Sequence, residues 1–154
     1  MKVRIKRLRP NVELPAYESA GAAAFDLAAA RETTIQPGEV ALVPTGLVIE
    51  VPPGMFLGIF ARSSTPLKRG LMVANGVGVV DPDYSGPADE IKVAVVNIRN
   101  AAVTLVPGDR IAQGIILPAP RVTWIEVDAL SAPTRGGFGA TGAEVRRKSS
   151  HDAS

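Results

Sequence analysis

The chain contains no cysteine, and its one histidine, His151, lies in the tail. Without cysteine there are no disulfides, no thiol nucleophile and no thiolate metal site. With a single histidine there is no histidine-based triad and no multi-histidine zinc centre. Chemistry is left to carboxylates, hydroxyls, arginines or a loosely held hard cation. The sequence also lacks an apolar run approaching the roughly 18 residues of a membrane span, and its N-terminus lacks a signal-peptide pattern. A soluble, cytoplasmic protein with no membrane partner is the expectation. Charge of one sign is scarce as well: 17 Lys and Arg against 15 Asp and Glu leave +2. The basic residues gather at the two ends, in residues 2–9 and 146–148, where they read as solvated termini, so no nucleic-acid partner is expected.

What is abundant is punctuation. The 15 glycines and 13 prolines of this 154-residue chain cut it into short β-type runs, the pattern of an all-β sandwich or jelly roll. Residues 2–6 alternate polar and apolar as a half-buried strand does. Residues 20–30 hold seven alanines, which favour helix, but they sit between Pro15 and the Pro37-Gly38 turn without an amphipathic stripe and are expected to be extended. A long apolar run at 40–51, broken near Pro44, ends at Pro52-Pro53-Gly54 and leads into a strand at 55–61. Ser64 or Thr65 as N-cap, Pro66 in the first turn and Gly70 past the end predict one short helix. Strands are predicted at 91–98, 103–106, 111–117 and 122–127, separated by Arg99-Asn100 and Pro107-Gly108-Asp109 turns. The predicted organisation is one β-sandwich domain over residues 1–130, with a flexible, core-less C-terminal arm and basic tail over 131–154.

The stretch from 71 to 86 reads as a buried β-hairpin, with Asn75-Gly76 supplying positive φ at its tip. It delivers Asp81, Asp83 and Tyr84 into a second turn marked by Pro82 and Gly86. A carboxylate on a rigid strand end with an aromatic ring close by suits a pocket that holds a planar ligand beside a base; a turn-capping aspartate is the plainer reading of the same residues. Arg62-Ser63-Ser64 offers a guanidinium and hydroxyls suited to phosphate. Asp26, in an otherwise apolar run, needs a partner if buried, either an arginine or a hydrated metal. Gly108-Asp109-Arg110 reads as a tight turn or a site segment, and Gly136-Gly137-Phe138-Gly139 as a linker or a site segment.

Taken in order, Ala23-Ala24-Phe25-Asp26-Leu27, Ala61-Arg62-Ser63-Ser64, residues 75–86, Gly108-Asp109-Arg110-Ile111-Ala112-Gln113 and the glycine-rich segment at 135–142 resemble the five-motif series of the trimeric dUTP diphosphatases. The resemblance spans residues 23–142. It implies a homotrimer with active sites shared between subunits, hydrolysing dUTP to dUMP and pyrophosphate with Mg2+. Asp81 would be the general base acting on the water that attacks the α-phosphorus. Tyr84 would pack against the deoxyribose and exclude a 2′-hydroxyl, and Asn75 with the backbone around Gly78 and Val80 would read the uracil edge. Arg62, Ser63 and Ser64 would meet phosphates, Gln113 would order the phosphate and water network, and Asp26 would lie near the magnesium through water. Arg135, Phe138 and Gly139 would come from a neighbouring subunit, Arg135 to the γ-phosphate and Phe138 over the uracil. In-line attack at phosphorus needs positioning, charge neutralisation and one base, which these residue types supply.

The chain departs from that pattern in places. Ala24 and Ser64 stand where glycine is usual, and Pro87-Ala88-Asp89 is an insertion after Gly86. The spacing from Arg135 to Phe138 is two residues shorter than usual. Arg-Ser-Ser also occurs in dCTP deaminases of the same fold, but the glutamate those enzymes use falls here on Ala94. A non-catalytic β-sandwich binding protein is the alternative from another class; it would explain the sandwich and leave the grouping of Asp81, Tyr84, Arg62 and Gln113 unexplained.

Overall fold

A computed structural model describes residues 1–134 and 136. Eleven strands are present among them: β1 (Arg4–Arg7), β2 (Phe25–Ala28), β3 (Thr33–Ile35), β4 (Val40–Pro44), β5 (Leu47–Glu50), β6 (Met55–Phe60), β7 (Leu71–Val73), β8 (Gly78–Val80), β9 (Lys92–Asn97), β10 (Val103–Leu105) and β11 (Arg110–Pro118). Every ladder is antiparallel. One sheet runs β2-β11-β6-β8 and another β4-β9-β7, with the pairs β1-β5 and β10-β3 completing the expected all-β jelly-roll sandwich. Among the described residues no helix is long and apolar enough to cross a membrane.

Period-two patterning places the core. On β9, Val93, Val95 and Asn97 are buried while the residues between them are not, and they meet Leu27, Leu57, Leu71, Leu105 and Ile111 from the other strands. Each such aliphatic side chain removed from water contributes about 1.5–3 kcal/mol. Asn97 is the polar member of this layer. Its amide nitrogen donates to the carbonyls of Ile35 (2.9 Å) and Ala101 (2.8 Å), and its carbonyl oxygen accepts from the Arg99 N–H (2.9 Å). It thereby ties β9 to the end of β3 and closes the following turn. In the four-stranded sheet, Gly114 lies opposite both Phe25 and Ile59. A Cβ at Gly114 would come within 2.5 Å of the Phe25 ring, so that ring occupies the space a side chain would need and holds β2 and β11 in step.

Several expectations need correction. The hairpin at 71–80 is not formed: β7 pairs with β9 and β8 pairs with β6. Asn75-Gly76 is a tight turn, with Gly76 at φ 72 and its N–H donating to Val73 at 3.2 Å, but the turn carries the chain from one sheet to the other. Turn chemistry is the same in both geometries, and each strand finds its larger apolar partner elsewhere. The short helix is present as one π-type turn, Thr65–Arg69, ended by Gly70 at φ 66. Ser64 makes no side-chain capping bond; Thr65 is buried and faces the Ile111 carbonyl instead. Of residues 20–30, only Phe25–Ala28 is strand. The strand expected at 122–127 is absent. Met1–Arg121 form one compact unit and Val122 opens a second, in which no regular element occurs among the described residues. Trp124 is 89 % exposed. Strand-forming side chains do not make a strand without a ladder partner.

Replacing Asn97 by alanine should leave the Ile35 carbonyl buried without this donor and release the Ala101 carbonyl and the Arg99 N–H, at a cost of roughly 1–3 kcal/mol. Urea unfolding of Asn97→Ala beside the unmodified chain measures this; a loss below about 0.5 kcal/mol would show that the amide is not holding the turn.

Candidate active site

The sheet β2-β11-β6-β8 carries candidate residues on each of its strands or just beyond them. At one end, Asp26 on β2 stands opposite Gln113 on β11, which stands opposite Phe60 on β6. Asp26 is largely shielded from water, and both its oxygens are engaged. Arg62 Nε lies 2.7 Å from Oδ1, and Arg110 Nη1 lies 3.1 Å from Oδ2. Arg110 also reaches Glu18 at 2.6 Å, and the Glu18 charge, then that of Asp26, pushes its pKa above the usual arginine value. Of the two partners expected for Asp26, arginine is the one observed. Gln113 Nε2 donates to the Ala61 carbonyl at 2.9 Å, fixing the backbone that leads into Arg62. Arg62 and Ser64 open with Lys68, Arg69 and Arg110 onto one basic cleft, and Ser63 is exposed beside them.

Arg69 closes the cleft through a 2.7 Å bond to Asp109, whose other oxygen accepts the Val106 N–H at 2.9 Å. Burial works to raise the Asp109 pKa, but the Arg69 bond, the Val106 N–H and the Arg69 charge together hold it below the ordinary carboxylate value. Gly108-Asp109-Arg110 is thus a tight turn that is also clamped to the π-type turn.

The other group lies along β8. Gly78 pairs with Ile59 and Val80 with Leu57, and β8 is an edge strand with β6 as its one neighbour in the sheet. Asn75 is exposed at the turn that precedes it. Beyond Val80, the Tyr84 N–H donates to the Asp81 carbonyl at 3.2 Å, so residues 81–84 close a turn around Pro82. The Asp81 carboxylate is exposed and has no partner among the described residues, so it is not capping that turn. It opens with Asp83 and Arg121 onto a cleft floored by Gly54 and Met55. Tyr84 is 44 % exposed, and its hydroxyl donates to the Glu90 carbonyl at 3.2 Å.

Within one chain the two groups lie toward opposite ends of β6. Val80 is level with Leu57, whereas Gln113 is level with Phe60. Asp81 therefore falls near Phe56, and Phe60, after which the chain leads to Arg62, lies about 13 Å further along the strand at about 3.3 Å per extended residue. Arg135, Phe138 and Gly139 lie outside the described residues. The sequence reading missed Arg110 and Glu18 as partners in the Asp26 cluster, and it missed Arg121 beside Asp81. Only the β2-β11 register brings Arg110 to Asp26, so no local pattern announced it.

Among the described residues no three histidine, cysteine or acidic side chains converge as metal ligands. Asp26 has about four lone-pair directions, of which the two arginines take part, leaving it able to accept hydrogen bonds from water. A single carboxylate paired with two guanidiniums does not by itself make a cation cage.

Residues 10–142 match the dUTPase family model. The chain is 44 % identical over 144 residues to a deoxyuridine 5'-triphosphate nucleotidohydrolase of Wolinella succinogenes, covering 92 % of this chain and 95 % of that one. It is also 44 % identical to the protein of that name from Methylocella silvestris, covering 96 % and 98 %. The crystal structure of a dUTPase from Streptococcus mutans superposes with a TM-score of 0.73 at 35 % identity, over 80 % of this chain and 100 % of that one. A Staphylococcus bacteriophage 80alpha dUTPase with dUPNHPP shares the fold, with a TM-score of 0.81 at 20 % identity over 92 % and 98 % of the two chains.

The Arg69–Asp109 clamp has a signature in pH. A carboxyl whose folded pKa is depressed adds stability that is present above its unfolded value, ordinarily 3.8, and is lost as pH falls through the folded value. Asp109→Asn should cost about 1 kcal/mol at neutral pH and should flatten the fall in Tm between about pH 5 and pH 2.5. Parallel acid slopes for the two proteins would show that the clamp contributes nothing.

Proposed function

The chain belongs to the dUTPase family and by that membership is a dUTP hydrolase; we propose that Asp81 is its general base, in sites completed between copies of the chain. The observation that carries the assignment is Asp81 itself, a carboxylate with no partner among the described residues, just past a strand held by the β6 ladder. It can accept the proton of a water placed for in-line attack on the α-phosphorus, releasing dUMP and pyrophosphate.

The surrounding residues fit the steps on either side of proton transfer. The outer edge of β8 presents backbone N–H and C=O groups unpaired among the described residues, and such an edge can hydrogen-bond the polar rim of a base. Gly78, Val80 and Asn75 read uracil in this way. Tyr84, half exposed and held by its hydroxyl, lies along the deoxyribose and leaves no room for a 2′-hydroxyl. Arg62, Ser63 and Ser64 take the phosphates in the basic cleft, where the triphosphate competes with Asp26 for Arg62. Gln113 orders the phosphates and nearby waters. Mg2+, when bound to the triphosphate and linked to Asp26 through water, would neutralise phosphate charge. The arm proposed from residue 131 brings Arg135 to the γ-phosphate and Phe138 and Gly139 over the base.

Because Asp81 and Arg62 face opposite ends of β6, one nucleotide meets both only if a second copy supplies the other half. A homotrimer is the proposed assembly. An apolar outer face on β4-β9-β7 supports self-association: Val40 and Leu42 are 61 % and 59 % exposed, and Val40 and Met72 flank Val96 in register.

Asp81→Asn keeps the shape of the side chain but cannot accept the proton, so turnover should fall by roughly two to four orders of magnitude with nucleotide binding retained. Near-normal single-turnover hydrolysis would remove Asp81 from the chemistry. The shared site is tested by mixing two inactive variants, Asp81→Asn and Arg62→Ala, after subunit exchange is verified by mass. About one quarter of the sites should then pair an intact base with an intact arginine from a different chain, since each is supplied independently with a chance of about one half. No recovery of activity would mean that both residues serve the same chain's site.

A further inference from the structure

The insertion Pro87-Ala88-Asp89 is bound at each of its corners. The Asp89 N–H donates to the Gly86 carbonyl at 3.1 Å, and the Asp89 carboxylate accepts the Gly86 N–H at 2.6 Å, so residues 86–89 form a turn locked from both sides with Pro87 at its second position. Lys6 Nζ donates to the Pro87 carbonyl at 3.0 Å, linking the turn to β1. The turn leads directly into Glu90. Glu90 Oε1 accepts the Gly46 N–H at 2.9 Å, its own N–H reaches the Ala88 carbonyl at 2.8 Å, and its carbonyl receives the Tyr84 hydroxyl. The next residue, Ile91, is buried, and its carbonyl accepts from the Thr45 hydroxyl at 2.7 Å. Tyr84 thus hangs between two proline turns, residues 81–84 behind it and 86–89 ahead, and its ring is oriented through a carbonyl whose place depends on the second turn.

We propose that Asp89 is a positioning residue for sugar selection, holding the 86–89 turn so that the Glu90 carbonyl fixes the Tyr84 ring against the 2′ position of the nucleotide. The proposal rests on the reading of Tyr84 as the surface that meets deoxyribose. Asp89 touches neither substrate nor reacting atoms in this arrangement. Its loss loosens the ring that excludes the competitor and leaves the base and the phosphate cleft in place.

The test compares kcat/KM for dUTP and UTP in Asp89→Ala, Asp89→Asn, Gly86→Ala, Tyr84→Phe and Tyr84→Ala, with thermal melts to verify folding. Asp89→Ala should lower the dUTP preference roughly five- to tenfold, the scale of one lost hydrogen bond, with kcat for dUTP within about twofold of the parent. Asp89→Asn keeps an acceptor for the Gly86 N–H and should retain the preference. Gly86→Ala should mimic Asp89→Ala, because a Cβ there would stand 2.8 Å from the Asp89 carboxylate. Tyr84→Phe should lose a similar factor, and adding Asp89→Ala to it should cost little more, since both act through one bond. Should Asp89→Ala fail to fold, Gly86→Ala and Tyr84→Phe carry the test. Unchanged preference in Asp89→Ala or Tyr84→Phe, with a large loss in Tyr84→Ala, overturns the proposal and leaves the sugar-gate reading standing. Unchanged preference in Tyr84→Ala overturns both.

Discussion

The register of β6 between its two neighbours is the constraint on which the site depends. On one side Phe60 meets Gln113, and on the other Leu57 meets Val80. These pairings place the Asp26–Arg62–Arg110 cluster at one end of the strand and Asp81, the proposed base, toward the other. A slip of one residue would turn every side chain of the strand to the opposite face, exposing Leu57 and Ile59, which are buried in the core. The fit is tight at Gly114 of β11, where a Cβ would fall 2.5 Å from the Phe25 ring on β2 and 3.1 Å from Leu57 on β6.

That constraint also separates what could be read from the sequence from what could not. Strand positions were legible at 91–98, 103–106 and 111–117, because period-two burial and proline-glycine turns act within a few residues. Partner choice was not legible. Residues 71–80 carry a proper hairpin tip, yet β7 and β8 enter different sheets, because the burial of Leu71 and Val73 is completed by β9. Residues 122–127 have strand-forming side chains and no ladder. Asp26 was readable as a residue in need of a cation, but Arg110 joins it only through a cross-strand step. Asp81, Asn75, Tyr84 and Gln113 were legible as an ordered series of motifs, whereas their division between two ends of one strand required the pairing of β8 with β6.

The structure bears on the deaminase alternative as well. The position where a catalytic glutamate would be needed is Ala94 on β9, opposite Leu42 on β4, where no carboxylate is available. The nearest acid in sequence, Glu90, is bound to the Gly46 N–H and holds the connection between β4 and β5 in place. A carboxylate committed to a backbone donor on a structural turn is poorly disposed to exchange protons with a substrate, whereas Asp81 has no such commitment among the described residues.

The proposed sharing of one nucleotide between Asp81 of one copy and Arg62 of another imposes a condition on assembly. On that proposal each chain offers a base-bearing surface and a phosphate-binding surface, and each is useful only against the other kind. In an open row of copies the terminal chains would leave one surface of each kind unmatched. A closed ring matches all of them and makes as many sites as chains. The apolar outer face on β4-β9-β7 can stabilise such closure without entering the chemistry, because Val40, Leu42 and Met72 project from the sheet that carries neither Asp81 nor Arg62. The proposed association and the proposed chemistry thus draw on different sheets of the sandwich, joined by the Asn75-Gly76 crossing.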